Sequence, residues 1–146
     1  MQIGTICQRN VVAVDRSASI LEAARAMRAQ HVGDVVIVDD GERPVGIVTD
    51  RDIVVELVAK ETDLGTVAVG DIMSLTIATA NEDADLFETL RFMGVKGVRR
   101  LPVIDADGRL VGILSVQDAM QVFLKELNFV TDIATRQVER ERRTRA

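Results

Sequence analysis

Short runs of apolar residues alternate along this chain with longer stretches in which apolar residues recur every three or four positions. The short runs are rich in Val and Ile, which is typical of buried strands, whereas the spaced stretches are typical of helices packed through one face. The pattern predicts strand, helix, strand, strand and helix, and then the same order again. The predicted strands are 11–14, 35–38, 45–48, 77–80, 101–104 and 110–114, and the predicted helices are 20–27, 49–58, 85–95 and one that starts at 116.

The two halves of the chain also match residue by residue. Segment 46–52 reads Gly-Ile-Val-Thr-Asp-Arg-Asp and segment 112–118 reads Gly-Ile-Leu-Ser-Val-Gln-Asp, at an offset of 66 positions. Because one such small sheet cannot bury both of its faces, we predict an α/β (α+β) fold of two β-α-β-β-α repeats packed sheet to sheet. The expected boundaries are 1–66 for the first repeat with its connector, 67–130 for the second repeat and 131–146 for a charged helical extension.

The residues that can bind a ligand lie where the last strand of each repeat meets the following helix. Thr49 and Asp52 occupy this junction in the first repeat, and Ser115 and Asp118 occupy it in the second. A helix start offers free backbone N–H groups to a phosphate, and a carboxylate accepts hydrogen bonds from both hydroxyls of a ribose. The same spacing also forms a capping box, which local sequence alone favours over ligand binding by about two to one. The two roles are compatible.

The duplicated strand–Gly-x-x-[Thr/Ser]-x-x-Asp–helix motif resembles the CBS (cystathionine β-synthase) domain pair. Segment 100–105 (Arg-Leu-Pro-Val-Ile-Asp), the Asp-x-x-Gly turn at 105–108 and the two-copy order add to the resemblance, which covers the chain apart from its final basic segment. The resemblance implies a flat module with a cleft on each side that regulates rather than catalyses. The implied ligand is an adenine nucleotide (AMP, ADP or ATP), with S-adenosylmethionine and NAD as alternatives.

The resemblance also implies which residues surround each ligand. Strand residues would form an apolar slot for adenine, and the entry to the second strand of one repeat would meet the phosphates held by the other. The expected first site consists of Val12, Ala13, Val35, Thr49, Arg51, Asp52, Arg99 and Arg100. The expected second site consists of Ala78, Thr79, Leu101, Pro102, Ser115 and Asp118.

The two expected sites differ in charge. The first has Arg51 and the pair 99–100 (Arg-Arg), whereas the matching positions of the second hold Gln117 and the pair 33–34 (Gly-Asp). Because Asp34 would repel a polyphosphate, we predict that an adenine nucleotide prefers the first site. An equally weighted alternative makes the arginine pair a solvated feature, bridged to acidic residues on the surface.

Composition restricts the remaining classes of function. The net charge of −5 argues against a nucleic-acid or membrane binder, and the apolar runs are too short to span a bilayer. The single cysteine rules out an internal disulfide framework and suits a reducing interior, so we expect a cytoplasmic protein. The sequence offers no convincing Cys–His pair or metal cluster, and neither an enzyme activity nor a metal site is expected.

A regulatory module without a catalytic domain acts through a partner or through its own assembly. Amphipathic helices at 20–27 and 86–93 predict a homodimer, and an unidentified regulated protein is a further expected partner. The alternative function is that of a structural or interaction protein whose clefts stay unoccupied. A nucleic-acid-linked regulator that uses the arginine-rich C-terminus is disfavoured, because the chain is acidic and lacks an aromatic stacking platform.

Overall fold

A computed structural model describes residues 1–74 and 77–145 of the chain, and both repeats follow the predicted order of elements. The first repeat contains β1 (Ala13–Asp15), α1 (Ile20–Gln30), β2 (Asp34–Val38), β3 (Pro44–Thr49) and α2 (Asp50–Ile53), which continues as a π-helical turn over Val54–Val58. A short helix, α3 (Val69–Ile72), precedes the second repeat, which contains β4 (Ala80–Asn81), α4 (Leu86–Lys96), β5 (Arg100–Ile104), β6 (Leu110–Ser115) and α5 (Val116–Thr144).

The strands form two three-stranded sheets with the same topology, β1-β2-β3 and β4-β5-β6. In each sheet the first strand runs parallel to the second and the third runs antiparallel to it. The register is also duplicated, because Val36 pairs with Ile47 and their counterparts Pro102 and Ile113 pair in the same way. The predicted mixed α and β fold of two repeats is therefore confirmed.

Two strands differ from the prediction. β1 begins at Ala13 rather than at residue 11, and β4 is confined to Ala80–Asn81 although 77–80 was predicted. The physical reason is clear for β1, since Val11 and Val12 line a cleft between the repeats instead of extending the strand. Apolar character alone does not separate a residue that pairs in a sheet from one that borders a cavity.

Each repeat has its own core, completed by a short segment that precedes the other repeat. Val69 and Met73 belong to the core of the first repeat, and Ile3 and Cys7 belong to that of the second. Backbone hydrogen bonds hold both segments in the same way, and the bond from Val69 N to Ala18 O measures 2.8 Å. The expected boundary at 66/67 thus divides the repeats by sequence, whereas the packing crosses it.

The glycine of the repeated motif leaves room for the short segment that completes each core. We call it the exchanged segment, because each repeat receives the one that precedes the other repeat. A Cβ atom on Gly46 would lie 2.5 Å from Met73 Sδ, and one on Gly112 would lie 2.6 Å from Cys7 Sγ. Burial raises the pKa of the Cys7 thiol, which keeps it protonated and unreactive under this glycine. Cys7 is therefore a packing residue, like its counterpart Met73.

The last helix is much longer than its counterpart in the first repeat. α5 has 29 residues, and from Phe123 onwards every described residue is exposed. Such a helix is roughly 43 Å long, so its C-terminal half extends as a helix in solvent. Within residues 1–74 and 77–145, no helix has the length and apolarity needed to cross a membrane.

Candidate functional site

Both strand-to-helix junctions are capping boxes in the structure. Thr49 N donates to Asp52 Oδ2 over 2.9 Å and Asp52 N donates to Thr49 Oγ1 over 3.2 Å. The junction at Ser115 and Asp118 repeats this pattern, at 2.8 and 3.2 Å. Capping is therefore present at both sites, and the question becomes what else each carboxylate can bind.

Two open clefts lie between the repeats, one beside each junction. The first, which we call cleft A, has a volume of about 660 Å³ and combines the first-repeat junction with the turn between α4 and β5. This volume lies within the range of small-molecule sites. The residues that line cleft A are Ile47, Thr49, Asp50, Arg51, Asp52, Gly97, Val98, Arg99, Arg100, Val116 and Gln117.

The second cleft, cleft B, has a volume of about 530 Å³. It reverses the arrangement, because the second-repeat junction faces the first-repeat turn between α1 and β2. The residues that line cleft B are Gln8, Asn10, Val11, Val12, Gln30, His31, Val32, Gly33, Asp34, Arg100, Ile113, Ser115, Gln117, Asp118 and Gln121. Each cleft thus takes its carboxylate from one repeat and its strand entry from the other.

The structure brings together all of the polar and charged residues expected in the first site. Thr49, Arg51, Asp52, Arg99 and Arg100 all line cleft A. Arg51 and Arg99 are exposed there, and neither makes an ion pair within the described residues. These two guanidinium groups are available to an anion.

The apolar residues expected in the first site lie elsewhere, and this grouping has to be corrected. Val12 lines cleft B, Ala13 borders a smaller cavity beside Glu42, and Val35 is fully buried in the first core. The reason is the crossed arrangement of the repeats, which places the start of the first repeat opposite Asp118 rather than Asp52.

A similar correction applies to the residues expected in the second site. Ser115 and Asp118 line cleft B, but Leu101 is fully buried in the second core and Pro102 is also buried. Ala78 and Thr79 are half-buried, and Ala78 packs against the second core. At the offset of 66, Ala78 is the counterpart of Val12, which faces the other repeat's carboxylate.

Sequence reasoning also missed several residues of cleft B. Gln8, Asn10, Val11, His31 and Gln121 all line it. Had the crossing rule that predicted Arg99 and Arg100 also been applied to the residues before β1, it would have indicated Asn10 and Val11. Gln8 and Gln121 carry no local signal, because they lie in a segment and on a helix face that predict only packing.

A salt bridge joins the two clefts at their common boundary. Arg100 Nε lies 2.8 Å from Asp34 Oδ2, and only 11% of the Asp34 side chain is exposed. Burial raises the pKa of Asp34, the positive charge of Arg100 opposes this rise, and the nearby Asp50 adds to it. Arg100 lines both clefts. For this arginine the alternative of a salt bridge to an acidic residue is therefore the one observed, although the bridge is partly buried rather than solvated.

This bridge changes the predicted electrostatics in two ways. Arg100 compensates much of the charge through which Asp34 was expected to repel phosphate. Arg100 is also already engaged, so within the described residues Arg51 and Arg99 are the cleft A arginines without an ion pair. The contrast between the clefts therefore depends on these two arginines more than on Asp34.

The comparisons with known proteins agree with this architecture. The model of the CBS domain matches residues 3–59 and again residues 69–125. The chain belongs to the CBS domain family. Each matched segment contains one of the junctions described above, which confirms the resemblance read from the sequence.

Individual CBS proteins are similar over most of the chain. An uncharacterized protein of Methanopyrus kandleri is 37% identical over 122 residues, which cover 84% of this chain and 62% of that relative's length. The CBS domain pair of protein MJ0100, solved in complex with 5′-methylthioadenosine and S-adenosyl-L-methionine, has a TM-score of 0.77 at 25% identity and covers 86% of this chain and 98% of its own. CBSX2, solved in complex with AMP, has a TM-score of 0.72 at 27% identity, over 85% and 96% of the two chains.

The described residues contain no group of three or more His, Cys, Asp or Glu side chains placed to hold a metal ion. The expectation that this CBS pair works without a metal stays a prediction.

Proposed function

We propose that this CBS pair is a regulatory sensor of an adenine nucleotide, bound in cleft A and not chemically changed there. The observation that carries the proposal is the meeting of a half-exposed carboxylate, Asp52, with the unpaired Arg51 and Arg99 in one cleft. The carboxylate suits the ribose hydroxyls and the guanidinium groups suit phosphates. The solved CBS pairs with AMP or S-adenosylmethionine support an adenosyl ligand as the class.

The proposed regulation follows from the position of cleft A between the repeats. Arg51 and Asp52 come from the first repeat, whereas Arg99 comes from the second. A nucleotide that contacts both repeats favours the arrangement in which these groups converge, and its differential affinity sets the size of the response. The readout is then a regulated protein or the assembly of the chain itself, in the cytoplasm.

Thermal unfolding in the presence of AMP, ATP, S-adenosylmethionine and NAD tests the ligand class. A ligand at a hundred times its dissociation constant stabilises the native state by about 2.7 kcal/mol, which is a shift of several degrees for a chain of this size. A shift with AMP or ATP supports the proposal. The absence of a shift with all four compounds supports the alternative of an interaction protein with unoccupied clefts.

We also propose a homodimer, through a surface that keeps the expected helix 86–93 but not the expected helix 20–27. The apolar side of α1 is buried in its own core through Ile20, Ala23 and Met27, so it is not available. Exposed apolar residues lie instead on the π-helical turn, on α4 and on α5: Val54, Val55, Val58, Phe87, Phe92, Met120, Phe123, Leu124 and Leu127. A second copy would cover this surface, in which the rings of Phe87 and Phe123 stack at 5.9 Å.

Sedimentation equilibrium of the full chain tests this surface. We expect a dimer for the natural chain and a monomer for Phe123→Glu, because a charge would have to be buried in the proposed interface. Ala106→Glu is the matched control, since it adds the same charge on an exposed turn away from these helices. A monomeric natural chain at micromolar concentration would refute the dimer.

A further inference from the structure

The carboxylates of the two clefts differ in how many hydrogen bonds they already accept. Asp118 Oδ1 accepts from Gln8 Nε2 over 2.9 Å, and Asp118 Oδ2 accepts from Ser115 N over 2.8 Å and from Ser115 Oγ over 2.6 Å. Asp52 accepts from Thr49 N over 2.9 Å, through Oδ2. Within the described residues, Asp52 Oδ1 has no hydrogen-bond partner.

Burial increases this difference. Asp118 is 8% exposed, whereas Asp52 is half-buried at the wall of cleft A. A carboxylate offers about four acceptor positions, and the two hydroxyls of a ribose require two of them. With three positions taken, Asp118 cannot accept both hydroxyls unless Gln8 moves away, whereas Asp52 can accept both as it stands.

Gln8 is held in place by its backbone. Gln8 N donates to Ile113 O and Ile113 N donates to Gln8 O, both over 2.9 Å, so the residue forms a two-bond bridge to β6. Its counterpart at the offset of 66 is Ser74, whose backbone N donates to Ile47 O over 3.5 Å. A serine side chain lacks the second methylene and the terminal amide of glutamine, which explains why, within the described residues, only cleft B has such an occupant.

We propose that Gln8 occupies the ribose position of cleft B, so that the natural chain binds one adenine nucleotide per protomer, in cleft A. This inference rests on the proposed function and names the residue that makes the two clefts unequal. Gln8 also forms part of the wall between cleft B and a cavity of about 220 Å³ beside Lys125. Shortening residue 8 therefore frees Asp118 Oδ1 and gives cleft B more room.

Calorimetric titration of the full chain with AMP tests the proposal, and AMP is chosen because one phosphate depends least on the charge difference between the clefts. We expect one AMP per protomer for the natural chain and two for Gln8→Ser, which copies the residue of the other repeat. Hydrogen bonds to charged groups contribute enough for the affinity of cleft B to rise about tenfold or more.

Two double variants assign the added site. Gln8→Ser with Asp118→Ala should return to one AMP per protomer, and Gln8→Ser with Asp52→Ala should keep one AMP, now in cleft B. The proposal is overturned if Gln8→Ser binds no more AMP than the natural chain, or if the natural chain already binds two and loses one through Asp118→Ala alone.

The same titrations separate this inference from the proposed function. A natural chain that binds no AMP contradicts the assignment of cleft A, whatever Gln8 does. If Gln8→Ser then binds one AMP, the role of Gln8 stands although that of cleft A falls. If Gln8→Ser binds none, both fall. The exposed Gln8 side chain is not part of the core, so circular dichroism should report unchanged folding.

Discussion

Clefts A and B have the same backbone and different side chains. Both are built on a capping box at a strand-to-helix junction, in sheets of identical topology and register. Within the described residues, cleft A has two arginines without an ion pair and a carboxylate with one oxygen open, whereas in cleft B both carboxylate oxygens accept hydrogen bonds and the only arginine is the shared Arg100. We therefore expect duplication to set where a ligand can lie and these few differences to decide which cleft binds it.

The two clefts are not independent, because Asp34 and Arg100 are counterparts at the offset of 66. Their salt bridge joins equivalent positions of the two repeats and lies on the boundary between the clefts. A phosphate in either cleft competes with Asp34 for the same guanidinium group. We therefore expect binding in one cleft to weaken the binding of an anion in the other.

We expect the largest loss of stability from substitution of the motif glycines, Gly46 and Gly112, which the two repeats share. Gly112→Ala places a methyl group against Cys7 Sγ and within 3.0 Å of Gln8 O, so the exchanged segment has to move. We expect a loss of about 3 kcal/mol in the free energy of unfolding, measured by denaturant titration. Gly46→Ala should cost somewhat less, because part of the contact is with the flexible Met73 side chain.

Gly94→Ala is the matched control for both glycine variants. Nothing lies within 4 Å of a Cβ atom at this helical position, so the substitution should stabilise the chain slightly. If Gly112→Ala were neutral, the account of the exchanged segments would be wrong.

We expect a smaller loss of stability from breaking the salt bridge at the boundary between the clefts. Arg100→Ala leaves the carboxylate of Asp34 buried without its partner, which should cost about 2 kcal/mol at neutral pH. The neighbouring Arg99→Ala should leave stability unchanged, because Arg99 is exposed and makes no ion pair within the described residues.

The pH dependence of this pair follows from the raised pKa of Asp34. The folded state binds a proton at Asp34 more tightly than the unfolded state does, so this group reduces stability as the pH rises from the ordinary carboxyl range through its folded pKa. Arg100→Ala should raise that pKa further. The deficit of the variant should therefore shrink on acidification, and a deficit independent of pH would contradict the assignment.

We expect the smallest effect, a modest loss of nucleotide affinity, when one positive charge is removed from cleft A. Arg51→Gln, which copies Gln117 of the other repeat, should weaken ATP binding about fivefold and AMP binding less, as expected for an exposed guanidinium group near phosphates. The difference should diminish at high salt, because exposed charges are screened. Equal weakening for both nucleotides at every salt concentration would place Arg51 away from the phosphates.

The fold could be predicted from the sequence because its signals are periodic and occur twice. The offset of 66 positions and the capping box at Ser19 and Glu22 both point to elements that the structure contains. In strands that are buried on both faces, the sequence does not show which side chains face the core. The first four residues of β2 are all buried, so alternation could not show that Val35 faces the core rather than a cleft.

The site could be predicted where charge differs between the repeats and not where packing decides. Arg51 and Arg99 stand out when the two copies are compared, and they meet the shared motif residue Asp52 in cleft A. The hydrogen bond from Gln8 to Asp118 spans 110 positions and depends on the exchange of the N-terminal segment onto the other repeat. No local sequence pattern shows that this segment packs on the other repeat. The contact between Gln8 and Asp118 in cleft B could therefore be found only from the structure.

Calorimetric titration of ATP into Asp52→Ala and Asp118→Ala measures the preference of the nucleotide for cleft A. We expect Asp52→Ala to lose ATP binding by about a hundredfold or more, since the ribose anchor is a charged acceptor, whereas Asp118→Ala should bind ATP within about twofold of the natural chain. Equal losses in the two variants would contradict the preference, and a loss confined to Asp118→Ala would reverse it.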